Sequence, residues 1–334
     1  MDLRGLVDGL LELAVIPSFS RVGALVRAPL LAWEPPAADS LVGRTALVTG
    51  ATGGLGRATA AALADLGARV VLLGRDASRL AALRADLAAQ ARGRRQRDGD
   101  ASPRFSCVVA DMSSLADVRR VVDEIRIVAP VLDLLVDNAG AIFAERTAAP
   151  DGGEASMALM VVGPFALISG LLPTLSASPD ARVISVASGG MYAQPLDVDD
   201  LDGETIAYNG PRFYARAKRA QVALVREWAR RMPTDPVTFL SMHPGWVATP
   251  GLSASLPTFE QAMGPILRTP AQGIDTIVWL ATAPRPEVTS GRLYLDRRPR
   301  PFDRVPWTRL SLAERRRLWD EVVERAGVSD PSSG

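Results

Sequence analysis

From residue 45 onward, short β-rich runs alternate with stretches of helical periodicity. "TALVTG" (45–50), "ARVVLLG" (68–74), "FSCVVAD" (105–111), "LDLLVDNAG" (132–140), "ARVISVAS" (181–188), "VTFLSMHPG" (237–245) and "GRLYL" (291–295) read as strands. They are apolar on both faces, as a parallel sheet covered above and below requires. Between them, segments such as "GLGRATAAALADLG", "SLADVRRVVDEIR" and "RFYARAKRAQVALVREWARRM" repeat their apolar positions with the helical period. The pattern predicts an α/β fold over residues 44–300, a doubly wound and mostly parallel seven-stranded sheet with helices on both faces. A low-complexity helix end and loop is expected around residues 85–103.

Two segments flank that domain. In residues 1–43, Leu3, Leu6, Val7, Leu10, Leu11 and Ala14 recur at helical spacing until Pro17 stops the pattern. Arg4 is offset by Asp2, Asp8 and Glu12, so this face lacks the basic excess of a helix lying on a membrane. A helical extension docked on the domain is expected, with membrane contact as the alternative. In residues 301–334, Ser311 and Glu314 stand at capping-box spacing ahead of a final surface helix.

Composition narrows the function. The chain has 334 residues, 48% hydrophobic and 22% charged, with a formal net charge of +1. No broad electrostatic field exists to recruit nucleic acid. Cys107 is the single cysteine, which excludes an internal disulfide and fits a reducing, cytoplasmic setting. His243 is the single histidine, so no histidine-rich metal site is expected. No uninterrupted apolar run has the length to span a bilayer.

Candidate chemistry starts at "TALVTGATGGLGRATAAAL", a glycine-rich turn between a strand and a helix. Gly50 permits the tight turn, Gly54 lets the backbone approach a pyrophosphate, and Gly56 allows close helix–strand packing. The second strand ends at Gly74, where an acid would accept from an adenosine ribose hydroxyl, and Arg75 follows. A guanidinium there suits a 2′-phosphate, so NADP is favoured and NAD is the alternative. Asp111 ends the third strand and either accepts from the adenine amino group or caps the following helix.

Tyr214 and Lys218 stand at i and i+4 on one helix, and Lys218 is the only lysine in the chain. An ammonium about 4 Å from the phenol would favour phenolate by roughly 4 kcal/mol, or ~3 pKa units, at an effective dielectric near 20. The tyrosine would then be suited to pass a proton to or from a carbinol oxygen.

Together, "TGATGGLG", "DNAG", the serine-ended fifth strand, "YARAK" and "HPGWVATPG" resemble the short-chain dehydrogenase/reductase superfamily over residues 44–296. Finer features are similar to its SDR family member 12-like branch. The resemblance implies a Rossmann fold and an NADP(H)-dependent oxidoreductase acting between a carbonyl and a secondary alcohol. Ser188 would hold the substrate oxygen, with Ser185 as its rival, and Tyr214 and Lys218 would complete the catalytic set. Thr49, Gly50, Thr52, Gly54, Leu55, Gly56, Arg75, Asp111 and Met112 would contact the cofactor. So would Asn138, Ala139, Gly140, Tyr214, Lys218, Pro244, Gly245, Val247 and Thr249. His243 matches a family position without a catalytic role.

Two departures stand out. Asp137 replaces the family's first asparagine before "NAG", and Met160 stands where the family's relay asparagine would hold a water beside the lysine. The alternative function is therefore a catalytically impaired NADP(H)-binding sensor or scaffold. Residues 251–267 would cover the substrate, and their Leu, Phe, Met and Ile content points to an apolar small molecule. Homo-oligomers are common in the superfamily.

Overall fold

A computed structural model describes residues 3–95, 105–234 and 236–332. One sheet holds eight strands in the order β3-β2-β1-β4-β5-β6-β7-β8. They are β1 (Thr45–Thr49), β2 (Arg69–Gly74), β3 (Phe105–Val109), β4 (Leu134–Asp137), β5 (Arg182–Val186), β6 (Thr238–Met242), β7 (Leu293–Leu295) and β8 (Arg298–Arg300). All neighbours from β3 across to β7 pair parallel. The order reverses between β1 and β4, which opens the crevice where such sheets take ligands at their carboxyl ends.

The eighth strand departs from the expected seven. It pairs antiparallel with β7, because Asp296 and Arg297 both adopt positive φ (54° and 57°) and fold the chain straight back. Such turns usually carry Asn-Gly or Asp-Gly. "DR" gives no such signal.

Alternation along the strands divides the core. Leu47, Leu135, Val183 and Phe239 face one side, with α6 (Leu115–Val128), α8 (Gly163–Ser176), α9 (Gly210–Arg231) and α13 (Leu312–Ala326). Ala46, Val48, Leu134, Val136, Ile184 and Leu240 face the other, with α4 (Gly54–Asp65), α5 (Ala77–Arg95) and α12 (Pro270–Thr282). The loop expected beyond α5 lies outside the described residues. The final helix starts with the expected capping box from Ser311 and Glu314, yet it is more than a surface helix. Its Trp319 is fully buried, with ring centres 4.9 Å from Phe165 and 4.7 Å from Trp228.

Ala155–Ser176 has the length and apolarity to cross a bilayer, which the sequence reading did not anticipate. Here 78% of its most apolar window is buried inside the protein, so it serves as a core helix. Within it, α7 (Ala155–Met157) passes through a π-helical turn, Ala158–Val162, before α8. Such widened turns are frequent at functional sites, and this one contains Met160.

Residues 3–30 form α1 (Leu3–Leu13), α2 (Val15–Phe19) and α3 (Arg21–Leu30), docked against the β7–β8 edge. Arg27, fully buried, donates to Asp8 at 2.7 Å, Glu12 at 3.0 Å and Asp296 at 2.7 Å. Arg268 grips the other side of Asp296 at 2.6 Å and donates to the carbonyls of Ser18, Phe19 and Ser20. Arg300 closes the cluster on Asp8. Burial works against ionising Asp8, but Arg300 and Arg27 outweigh it and hold the carboxyl below its usual range.

Candidate active site

The glycine turn sits at the crevice. Gly50 has φ 63° and lies against the 138–140 turn, where an added Cβ would come 2.9 Å from the Ala139 Cα. A Cβ on Gly56 would strike the Gly50 carbonyl oxygen. Gly54, at φ 51°, faces Thr249 across a gap where an added Cβ would lie 3.6 Å from that side chain. No side chain caps the start of α4. Its first amides are left without a side-chain acceptor, the arrangement that receives a pyrophosphate, which fits a bound dinucleotide.

Several expected contact residues brace this cradle with their side chains. Thr49 Oγ1 accepts from the backbone amides of Asn138 and Ala139, both at 2.9 Å, and the Asn138 side-chain Nδ2 donates back to the Thr49 carbonyl. Leu55 and Val247 pack on Gly273 of α12. Thr249 caps the short helix α10 (Pro250–Ser255). Pro244 and Gly245 follow β6, and Gly245 has φ 74°. Met112 is buried in the core, so only its backbone is left for a ligand.

At the adenosine end, Thr52 packs against Gly74. Arg75 is exposed beside that strand end. Asp76 is turned away, its Oδ1 accepting from Ser78 and the amide of Arg79 at the start of α5. Arg79 reaches over the turn to the Thr52 carbonyl at 3.3 Å. Sequence reading missed Arg79, although it lies one helical turn beyond Arg75. Asp111 Oδ1 accepts from the amide and hydroxyl of Ser113, so it does not cap the following helix as weighed from sequence; Ser114 is the N-cap of α6 and accepts from the Asp117 amide.

The reacting end gathers β5 and α9. Ser185 is buried within β5, opposite Asp137, whereas Ser188 lies past the strand end, half-buried and accepting from the amide of Gly190. Asn209 and Pro211 start α9, and its periodicity then puts Tyr214 and Lys218 on the pocket side. The flanking arginines point elsewhere, Arg216 to the Asp200 carbonyl and Arg219 to the Met191 carbonyl. Lys218 instead fills a tight space. A Cβ added at Gly140 would lie 3.2 Å from Met160 Sδ and 3.5 Å from Lys218 Nζ, so both side chains border that glycine.

One expectation needs correction. Lys218 does not bring the Tyr214 phenol down. Burial pushes that phenol up to about 12, and the neighbour that offsets this is Ser188. The amine lies 5.8 Å from the Tyr214 ring centre and donates to the Val186 carbonyl at 2.7 Å and Gln221 Oε1 at 3.1 Å. Burial lowers Lys218 to about 8, opposed by Asp137. Gln221 in turn donates to Asp137 Oδ2. Neither Gln221 nor this use of Asp137 was foreseen from sequence.

Phe19 of the extension reaches the same region. Its ring lies against Gly189, and its carbonyl accepts from the Trp246 amide at 2.7 Å. Trp246 meets Phe19 edge-on at 5.9 Å and Phe259 at 5.2 Å. Phe259 belongs to α11 (Pro257–Met263), which with α10 has no buried residue and lies over the cofactor loop. His243 is sealed beneath Phe19 at 4.6 Å, and neither ring nitrogen has a hydrogen-bond partner among the described residues. Burial and Arg268 push it well below its usual range, so it stays neutral. No cluster of metal-ligating side chains occurs among the described residues.

The short chain dehydrogenase family profile matches residues 44–258. The chain is 37% identical to the cattle (Bos taurus) dehydrogenase/reductase SDR family member 12 over 287 residues, covering 85% of this chain and 86% of that one. It is 34% identical to mouse (Mus musculus) retinol dehydrogenase 14, covering 86% of each. Among solved structures, it is similar to the NADP active-site complex of Pseudomonas aeruginosa RhlG. The TM-score is 0.61 at 25% identity, over 78% of this chain and 96% of that one. The chain belongs to the short-chain dehydrogenase/reductase superfamily, in the SDR family member 12-like branch, and is an NAD(P)-dependent oxidoreductase acting on alcohols or carbonyls.

Proposed function

We propose that the chain reduces the carbonyl of an apolar small molecule at the expense of NADPH. The carrying observation is the convergence of Ser188, Tyr214 and Lys218 beside the glycine turn. When bound, the nicotinamide supplies the hydride. Tyr214, kept protonated at neutral pH by burial, gives its proton to the carbonyl oxygen, while the Ser188 hydroxyl holds that oxygen. Exposed Arg75, with no acid at Gly74, supports NADPH over NADH. The half-exposed apolar cover of Leu252, Leu256 and Phe259 supports an apolar substrate, as does a relative named retinol dehydrogenase. The test is NADPH oxidation with a panel of apolar ketones and aldehydes against polar ones. Turnover of the polar set alone would reject the substrate class.

A second reading concerns where the enzyme works. Asp8 and Glu12 turn inward onto arginines, so they no longer offset Arg4 as the sequence suggested. The outer face of α1 to α3 carries Leu6, Leu10, Leu13, Ile16, Val22 and Leu25, all exposed, with Arg4 and Arg21 as its exposed charges among the described residues. That combination favours a cytoplasmic enzyme lying on an anionic bilayer. Flotation should recover the full chain with phosphatidylserine-containing vesicles, and Leu10→Glu/Leu25→Glu should abolish it. Dimerisation in solution that the same changes disrupt would assign the face to a second copy instead.

A further inference from the structure

Lys218 occupies a space in which Met160 offers no hydrogen bond, because a thioether donates none and accepts weakly. Its polar surroundings come from elsewhere. β5 supplies the Val186 carbonyl, and the following turn of α9 supplies Gln221. Behind Gln221 lies Asp137 at the end of β4, 1% exposed, with Oδ2 accepting from Gln221; burial pushes its carboxyl up, and Lys218 foremost, with Gln221 and Ser185, opposes this.

We propose that Asp137, acting through the side-chain amide of Gln221, is the positioning residue that keeps Lys218 an ammonium fixed beside Tyr214. This deepens the reductase reading and, for its catalytic meaning, rests on it.

The chain of contacts has one sense. Lys218 has only donors to offer and an ionised Asp137 has only acceptors. The amide between them must therefore turn its oxygen to the amine and its NH₂ to the carboxylate. A buried carboxylate is costly unless a cation balances it, and the chain's one lysine is that cation. The titratable groups that face Lys218 among the described residues are Asp137 from β4 and Tyr214 from its own helix. β5 adds Ser185 and the Val186 carbonyl, and the π-helical turn adds only Met160. Asp137 is the one neighbour that opposes the effect of burial on the amine. An asparagine at this position could accept a hydrogen bond, but it would supply no charge.

Because Lys218 is the only lysine, protein grown with ¹³C-labelled lysine gives a single Cε signal. Its pH titration reports this amine without any need for turnover. In Asp137→Asn, the proton affinity of the amine should fall at least tenfold. Gln221→Leu should move it the same way by a smaller factor, and Met160→Asn should leave it within about twofold. An Asp137→Asn midpoint within twofold of the parent, or above it, overturns the proposal. Should that variant not fold, an unmoved midpoint in Gln221→Leu overturns it equally. The alkaline limb of kcat/KM should follow the titration in each variant. A shifted titration without turnover of any carbonyl substrate rejects the reductase reading and leaves the ion pair standing. Turnover with an unmoved titration rejects the ion pair alone.

Discussion

The Lys218 amine stands one helical turn beyond Tyr214 and 5.8 Å from the centre of its ring, yet it donates to the Val186 carbonyl and to Gln221 Oε1. The phenol is left as a protonated donor, pushed up to about 12 by burial. Tyr214→Phe removes that donor without changing the shape of the pocket. Turnover should fall by about 10² to 10⁴-fold, while NADPH affinity, read by fluorescence titration, stays within about twofold. Full turnover in the variant would remove Tyr214 from the reaction.

Arg75 is expected to distinguish the two coenzymes. Replacing it with alanine removes one charge-assisted contact to a 2′-phosphate, a loss of about tenfold in NADPH affinity. NADH, which lacks that phosphate, should bind as before. Equal losses for both coenzymes would show that Arg75 shapes the turn rather than reads the ribose.

Arg27 is fully buried and pairs with three carboxylates, those of Asp8, Glu12 and Asp296. Arg27→Met leaves Asp8 to Arg300, Asp296 to Arg268 and Glu12 to Arg304, so the loss should fall at the low end of the cost of breaking a buried pair from one side, about 3 kcal/mol. Urea unfolding should show that loss. Arg27→Lys, which keeps the charge, should lose less than Arg27→Met.

Acid should unfold the protein through its paired carboxyls. Arg285, Arg182 and Arg44 surround Asp180 and, against the opposing effect of burial, hold it at about 2, below the ordinary 3.8. A carboxyl depressed on folding stabilises the native state above its unfolded value, and that contribution vanishes as pH falls through the folded one. The melting temperature should therefore be nearly flat above pH ~5 and drop between ~4 and ~2. Asp180→Asn should lower it at neutral pH and flatten the acid slope.

What could be read from the sequence was what is local along it. The glycine turn lies within seven residues, Gly50 to Gly56, and Tyr214 and Lys218 are four apart, so periodicity alone sets them side by side. The β1–β7 alternation was readable for the same reason. Asp137 and Gln221 meet across 84 residues, and nothing in either segment announces the other. Arg79 and Phe19 likewise gain their place only through packing. The acids of α1 looked like solvent-facing charges because their arginine partners, apart from Arg27, come from the far end of the chain. The phenol's shift was misjudged because the i, i+4 spacing fixes a shared helix face but not where a flexible amine turns.

The two ends of the chain also meet. Arg300 reaches Asp8 across 292 residues, and Arg27 reaches Asp296 across 269. During synthesis, the first thirty residues leave the ribosome long before their partners exist. They must wait, with their ionisable groups uncovered, until residues 268–304 have been made. Docking of α1 to α3 thus comes after the core sheet has been synthesised, and chaperones meeting the nascent chain would find that segment open until then.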